Sequence, residues 1–210
     1  MKQTVLALVG VALVTSAVDS DQSRKPNAAV YITKEEVDTV NKSPGIDRTI
    51  KVVDIGTEHF AVGVIHRGPT PLDLTPTGAT AVPPTDIRAC GAREGNPAKN
   101  LTPGLYHDNQ AEGYYIISGE GTIVTGGQIV NGRTDPPDAE VTTTLNGPSC
   151  RGGIAGADVV TRLVRTGDIV IIPPGVPHGW AHIADHVDYL SFRPSGDILT
   201  AGYVHPSIKK

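Results

Sequence analysis

From residue 50 onward, short apolar runs are cut off again and again by glycine, proline or a polar turn, and that rhythm predicts strands. The runs at 50–56 and 59–68 read as two strands joined through Gly56, Thr57 and Glu58. In the second, Val62, Val64 and His66 share one face, because side chains along a strand alternate. Parity alone leaves open whether that face looks into a core or into solvent. Further runs at 113–118, 159–165, 168–175, 179–184 and 186–194 continue the β pattern, with one more short strand expected at 141–145. Before the strands, Thr33 and Glu36 form a capping-box pair, Val37 and Val40 give an apolar stripe, and Ser43-Pro44-Gly45 stops the helix they predict. So short a helix has to dock on something.

Composition narrows the class. Seventeen prolines and 24 glycines in 210 residues suit an all-β barrel or sandwich of one domain. A net charge of −4 with no Lys/Arg cluster argues against nucleic acid as a partner. Lys2, an apolar run from Val5 to Val14, and small residues ending at Ala17 have the order of a secretory signal peptide. The expected organisation is a signal at 1–17, an arm and short helix at 18–49, and a barrel domain at 50–205. The mature protein is then expected to be secreted or periplasmic, with no membrane attachment once the signal is removed. Export would place Cys90 and Cys150 where a disulfide persists, with two free thiols as the alternative. Residues 68–104 carry seven prolines and read as an extended connection with edge strands, suited to covering the barrel or to contact with a second copy in a homodimer.

Candidate chemistry gathers in two stretches. In the first, His107 ends a strand, 108–111 make a polar turn, and Glu112 opens an aromatic strand closed by Gly119-Glu120-Gly121. On that strand Glu112, Tyr114 and Ile116 share a face. In the second, Gly167-Asp168 turns into an apolar strand, and 173–177 form a rigid bend that delivers His178, with Trp180 and His182 on the same parity. Two imidazoles and a carboxylate are a ligand set for a divalent cation that leaves coordination positions open.

These stretches resemble the two sequence motifs of the cupin superfamily. Glu112 and Gly119 fit the second half of the first motif, with His107 in its second-histidine slot; Gly167, Pro173, Gly175 and His178 fit the second motif, where His182 replaces the usual asparagine. The first histidine slot falls on Leu105 and the initial glycine on Lys99. The resemblance implies a double-stranded β-helix, or jelly roll, with Fe, Mn or Zn bound at its mouth by His107, Glu112 and His178. A fourth ligand would come from His66 or from Asn109. Tyr114 is a candidate acid/base or orienting hydroxyl, and Arg193 a candidate holder of a substrate anion. The expected function is a metal-dependent enzyme on a small oxygen-rich molecule, dioxygenase-type first and isomerase or lyase next. A non-catalytic small-molecule binder is the alternative.

Overall fold

The computed structural model describes residues 25–70 and 80–208; the expected signal segment and residues 71–79 of the proline-rich connection lie outside them. Helix α1 (Lys34–Asn41) starts at the Thr33–Glu36 capping box, with both reciprocal hydrogen bonds made. Eleven strands follow: β1 (Asp47–Asp54), β2 (His59–Arg67), β3 (Ala89–Cys90), β4 (Thr102–His107), β5 (Glu112–Thr125) and β6 (Gln128–Thr134), then β7 (Ser149–Ala155), β8 (Val160–Arg165), β9 (Ile169–Ile172), β10 (His178–His182) and β11 (Val187–Pro194).

All the strand pairs are antiparallel, and they form two sheets that share β5. One sheet runs β1-β2-β11-β5-β9, and the other β8-β5-β10-β4-β7-β6-β3. The Gly119-Glu120-Gly121 segment does not end the strand as expected. It is the corner at which β5 passes from the first sheet to the second and runs on to Thr125. At that corner Gly119 has φ +70°, and a Cβ there would lie 2.0 Å from the His186 carbonyl oxygen, so only glycine fits. Two antiparallel sheets joined by a shared, bent strand give the double-stranded β-helix, one of the ways a β fold limits its open edges.

The main core lies between the sheets and includes Ile65, Tyr114, Ile116, Ile172, Trp180, Val187 and Tyr189. A separate cluster sits on the outer face of the first sheet, where α1 brings Val37 and Val40 against Ile50, Val62, Val64 and Leu190. The Val62/Val64/His66 face is therefore the outer one, and Ala61, Gly63, Ile65 and Arg67 look inward.

Residues 141–145 are not a strand but part of a π-helical turn, Val141–Asn146. Its threonines explain the departure from β-branched preference. Thr143 and Thr144 hydroxyls donate to the carbonyls of Ala139 and Glu140, and Thr142 donates to that of Pro136. Cys90 and Cys150 are bridged, which removes the free-thiol alternative and closes a loop of 60 residues between β3 and β7. In the loop-entropy account such a closure contributes about 4 kcal/mol.

Candidate metal centre

The two motifs meet because their strands are hydrogen-bonded neighbours. His178, the first residue of β10, pairs across the ladder with Leu105 on β4, two residues before His107. The bend that precedes it is fastened to the first motif by the Gly175 N–H, which donates to the His107 carbonyl at 2.7 Å. Glu112, first on β5, returns from the 108–111 turn onto the same inward face. Leu105, in the slot usual for a first histidine, lines the cavity without offering a donor atom.

His107, Glu112 and His178 are each at most 4% exposed, and one ligand atom from each lies within 4.8 Å of the others. Glu112 Oε2 stands 3.4 Å from His107 Nε2 and 3.2 Å from His178 Nε2. The opposite ring nitrogens are already engaged. His178 Nδ1 is 3.0 Å from the Val176 carbonyl and so donates to it. His107 Nδ1 meets Ser149 Oγ at 2.8 Å; that hydroxyl donates to the Asn146 or Gly147 carbonyl and so accepts from the imidazole. With both Nδ1 atoms engaged from behind, each ring turns Nε2 toward the same carboxylate oxygen, and these three atoms form a donor set that fits a divalent metal.

Glu112 is fixed from its other side. Oε1 accepts from Arg193 Nε at 2.7 Å and from Ser191 Oγ at 3.1 Å, which turns Oε2 toward the histidines. Burial alone would raise this carboxyl's pKa. The adjacent Arg193 charge, then the two imidazoles, outweigh it and hold the group well below the usual range. Tyr114 donates to Oε2 at 2.5 Å, and burial followed by the Glu112 charge pushes its phenol well above 10, so it keeps its proton.

Four sequence expectations need correction. His66 is not at this site: it stands on the outer face of β2, with its side chain 49% exposed and Nδ1 2.6 Å from Asp188 Oδ1. The reason is α1, which covers Val62 and Val64 from outside and so assigns their parity to the outer surface. Asn109, the other candidate for a fourth ligand, is exposed in its turn and outside the cluster. Arg193 does not face a substrate, since it is 1% exposed and its guanidinium is bonded to Glu112, Ser191, Asp47 and the Leu145 carbonyl. His182 shares parity with His178 in sequence, but a bulge after Trp180 shifts the register and leaves it exposed.

The cluster opens onto a cavity of about 910 Å³, a size suited to a small-molecule ligand. Sequence reasoning missed one of its residues, Arg67, whose Nε donates to Tyr189 Oη at 3.1 Å. The available signal was the inward series Ala61, Gly63, Ile65, whose small members leave room inside a barrel.

Fold and site together define the class: a double-stranded β-helix with a candidate His-Glu-His metal centre. No family model matches the chain, and no curated protein does. Among solved structures it is similar to an uncharacterised double-stranded β-helix protein of Klebsiella pneumoniae, at 16% identity over 81% of this chain and 94% of that one, with a TM-score of 0.38. It is also similar to the DMSP lyase DddQ of Ruegeria pomeroyi, at 15% identity over 78% of this chain and 53% of the lyase, with a TM-score of 0.36. The Drosophila melanogaster CENP-C cupin domain is similar at 10% identity over 69% and 74%, with a TM-score of 0.30. These likenesses concern the fold and assign no activity.

Proposed function

We propose that the protein is a metal-dependent enzyme that acts on a small oxygen-rich organic molecule, with dioxygenase-type chemistry as its reaction. The observation that carries this reading is the convergence of His107 Nε2, Glu112 Oε2 and His178 Nε2 on the wall of a cavity large enough for such a molecule. Two histidines and one carboxylate with free positions are the ligand set of non-haem Fe(II) oxygenases. A divalent ion held there would supply Lewis acidity and, as Fe(II), the means to activate dioxygen. The chain's own part is to orient and to exclude water. Arg193 and Ser191 aim the Glu112 carboxylate, Ser149 and the Val176 carbonyl set the imidazoles, and Trp180 with Tyr189 forms an apolar wall.

Tyr114 favours a second reading, isomerase or lyase chemistry. Its phenol lies on the cavity wall beside Glu112 and keeps its proton, which suits a hydrogen bond to a substrate oxygen on which charge develops. We place the protein outside the cytoplasm, a reading supported by the Cys90–Cys150 bridge.

The test starts with elemental analysis of protein purified without chelator, followed by anaerobic Fe(II) loading and nitric oxide. One metal per chain and an iron–nitrosyl EPR signal support open coordination at this centre. Oxygen uptake with a panel of hydroxy and oxo acids then supports the first reading, whereas solvent deuterium incorporation without oxygen uptake favours the second. Protein that takes up none of Fe, Mn or Zn ends both.

A further inference from the structure

Among the described residues, Arg67 is the arginine on the cavity wall that has no acidic partner within ion-pair distance. It is the last residue of β2, turned inward, and its Nε is occupied by Tyr189 Oη at 3.1 Å. That single bond fixes the plane of the guanidinium and leaves its two terminal nitrogens without a hydrogen-bond partner among the described residues. No carboxylate lies within ion-pair distance of it among those residues. Asp47, whose charge also acts on it, is bonded to Arg193 at 2.6 Å. Arg151, the other arginine on the cavity wall besides Arg67, is paired with Asp135. Tyr189, which holds Arg67, packs on Tyr114 with ring centroids 4.4 Å apart, and Tyr114 reaches the Glu112 oxygen that faces the histidines. The fork of donors is therefore two aromatic side chains away from the candidate metal position, across the same cavity.

A guanidinium oriented by one bond, with its remaining N–H groups open to a cavity, matches a carboxylate in bidentate geometry. We infer that the substrate is an organic anion whose carboxylate is bound by Arg67 while its reacting end faces His107, Glu112 and His178. The inference rests on the reading of a small-molecule site at this cavity and adds the substrate's charge and the residue that selects it. Trp180 and Tyr189 flank the path between the two ends, so the middle of the molecule meets apolar surface. Arg67 is a specificity residue here, and its removal should weaken binding of acids while leaving the metal ligands in place.

The experiment is isothermal titration of acetate, malonate and succinate, with dimethyl malonate as the neutral control, into Co(II)-loaded and metal-free wild type, Arg67→Met and Arg67→Lys. At least one of the three acids is expected to bind wild type with a Kd below 10 mM. Dimethyl malonate should bind at least tenfold more weakly than malonate. Arg67→Met should lose at least tenfold for the acids, with Co(II) stoichiometry and the visible spectrum unchanged, and Arg67→Lys should recover part of the loss. Should none of the acids bind wild type, or Arg67→Met bind them as wild type does while Co(II) loads normally, the inference is overturned and the metal reading stands. Conversely, protein that refuses Co(II) but binds an acid in an Arg67-dependent manner removes the metal reading and keeps this one. A loss of acid binding by Arg67→Met that Arg67→Lys does not recover at all, accompanied by an altered Co(II) spectrum, would mark a merely structural role and also overturn it.

Discussion

Two imidazole–carboxylate groups lie on the inner and outer sides of the double-stranded β-helix, and they differ in nearly everything but residue type. Inside, His107, Glu112 and His178 are buried, and each ring's Nδ1 is held by a partner other than the carboxylate. Outside, Asp188 receives His66 through Nδ1 and the Ser118 hydroxyl, while His186 bonds Asp185 and Ser118. The outer imidazoles are spent directly on acidic partners in contact with water, where an ion pair contributes little. The inner ones keep a ring nitrogen in reserve. Burial makes that reserve costly unless a cation occupies it, so the interior set suits a bound cation and the exterior set serves as surface pairing.

The comparison can be broken most severely at Arg193. Arg193→Met leaves the carboxylates of Glu112 and Asp47 without their buried counter-charge. The expected loss is about 3–5 kcal/mol in urea unfolding, as for other broken buried pairs. Asp188→Asn on the outer face should cost less than ~1 kcal/mol in the same assay. Equal costs would erase the distinction.

Removing a ligand comes next. His178→Ala should lower metal affinity at least ~100-fold, read by chelator competition, with the far-ultraviolet circular dichroism unchanged. His66→Ala should leave metal content at the wild-type value. Ser149→Ala tests whether an imidazole has to be held from behind, because it frees His107 Nδ1. A loss of about 10–100-fold in metal affinity is expected. An unchanged affinity would show that the strand alone orients the ring.

The smallest effect concerns pH and lies on the outer side, at the helix cap. Burial pushes the Glu36 carboxyl up, but Lys51 and the Thr33 N–H together hold it below its ordinary 4.5. A lowered folded-state pKa means that the carboxylate stabilises the fold above about pH 4.5, its unfolded value, and that the contribution fades as pH falls through the folded value. Glu36→Gln should therefore be less stable than wild type at pH 7, and the two should converge as the solution is acidified below 4.5. A gap that widens in acid would contradict the assignment.

Much of this was legible without coordinates, for reasons particular to each element. The capping box of α1 and the bend before His178 are local, fixed by hydrogen bonds and proline geometry within a few residues, and both formed as read. The Glu112/Tyr114/Ile116 face followed from strand parity and is buried as expected. Parity failed on β2 because it gives two faces and does not name the inner one. The arrival of α1 on Val62 and Val64 decided that, and with it sent His66 out and Arg67 in. The role of Arg193 was misjudged, since Asp47 and the Leu145 carbonyl, which engage its guanidinium, come from segments distant in sequence. The π-helical turn at Val141–Asn146 was missed because the hydroxyls of Thr142, Thr143 and Thr144 satisfy local carbonyls, a choice that β-branched composition does not reveal.

By itself, then, the sequence determined that the chain is β-rich, where its helix cap and the bend before His178 fall, and that His107, Glu112 and His178 are candidates for one ligand set, because spacing and alternation are properties of the covalent chain. Tertiary structure alone decided which face of β2 is interior, which arginine is free to meet a ligand, and that Cys90 reaches Cys150. Those outcomes depend on which surfaces cover one another and on which charges lose their water together, and no local pattern carries that information.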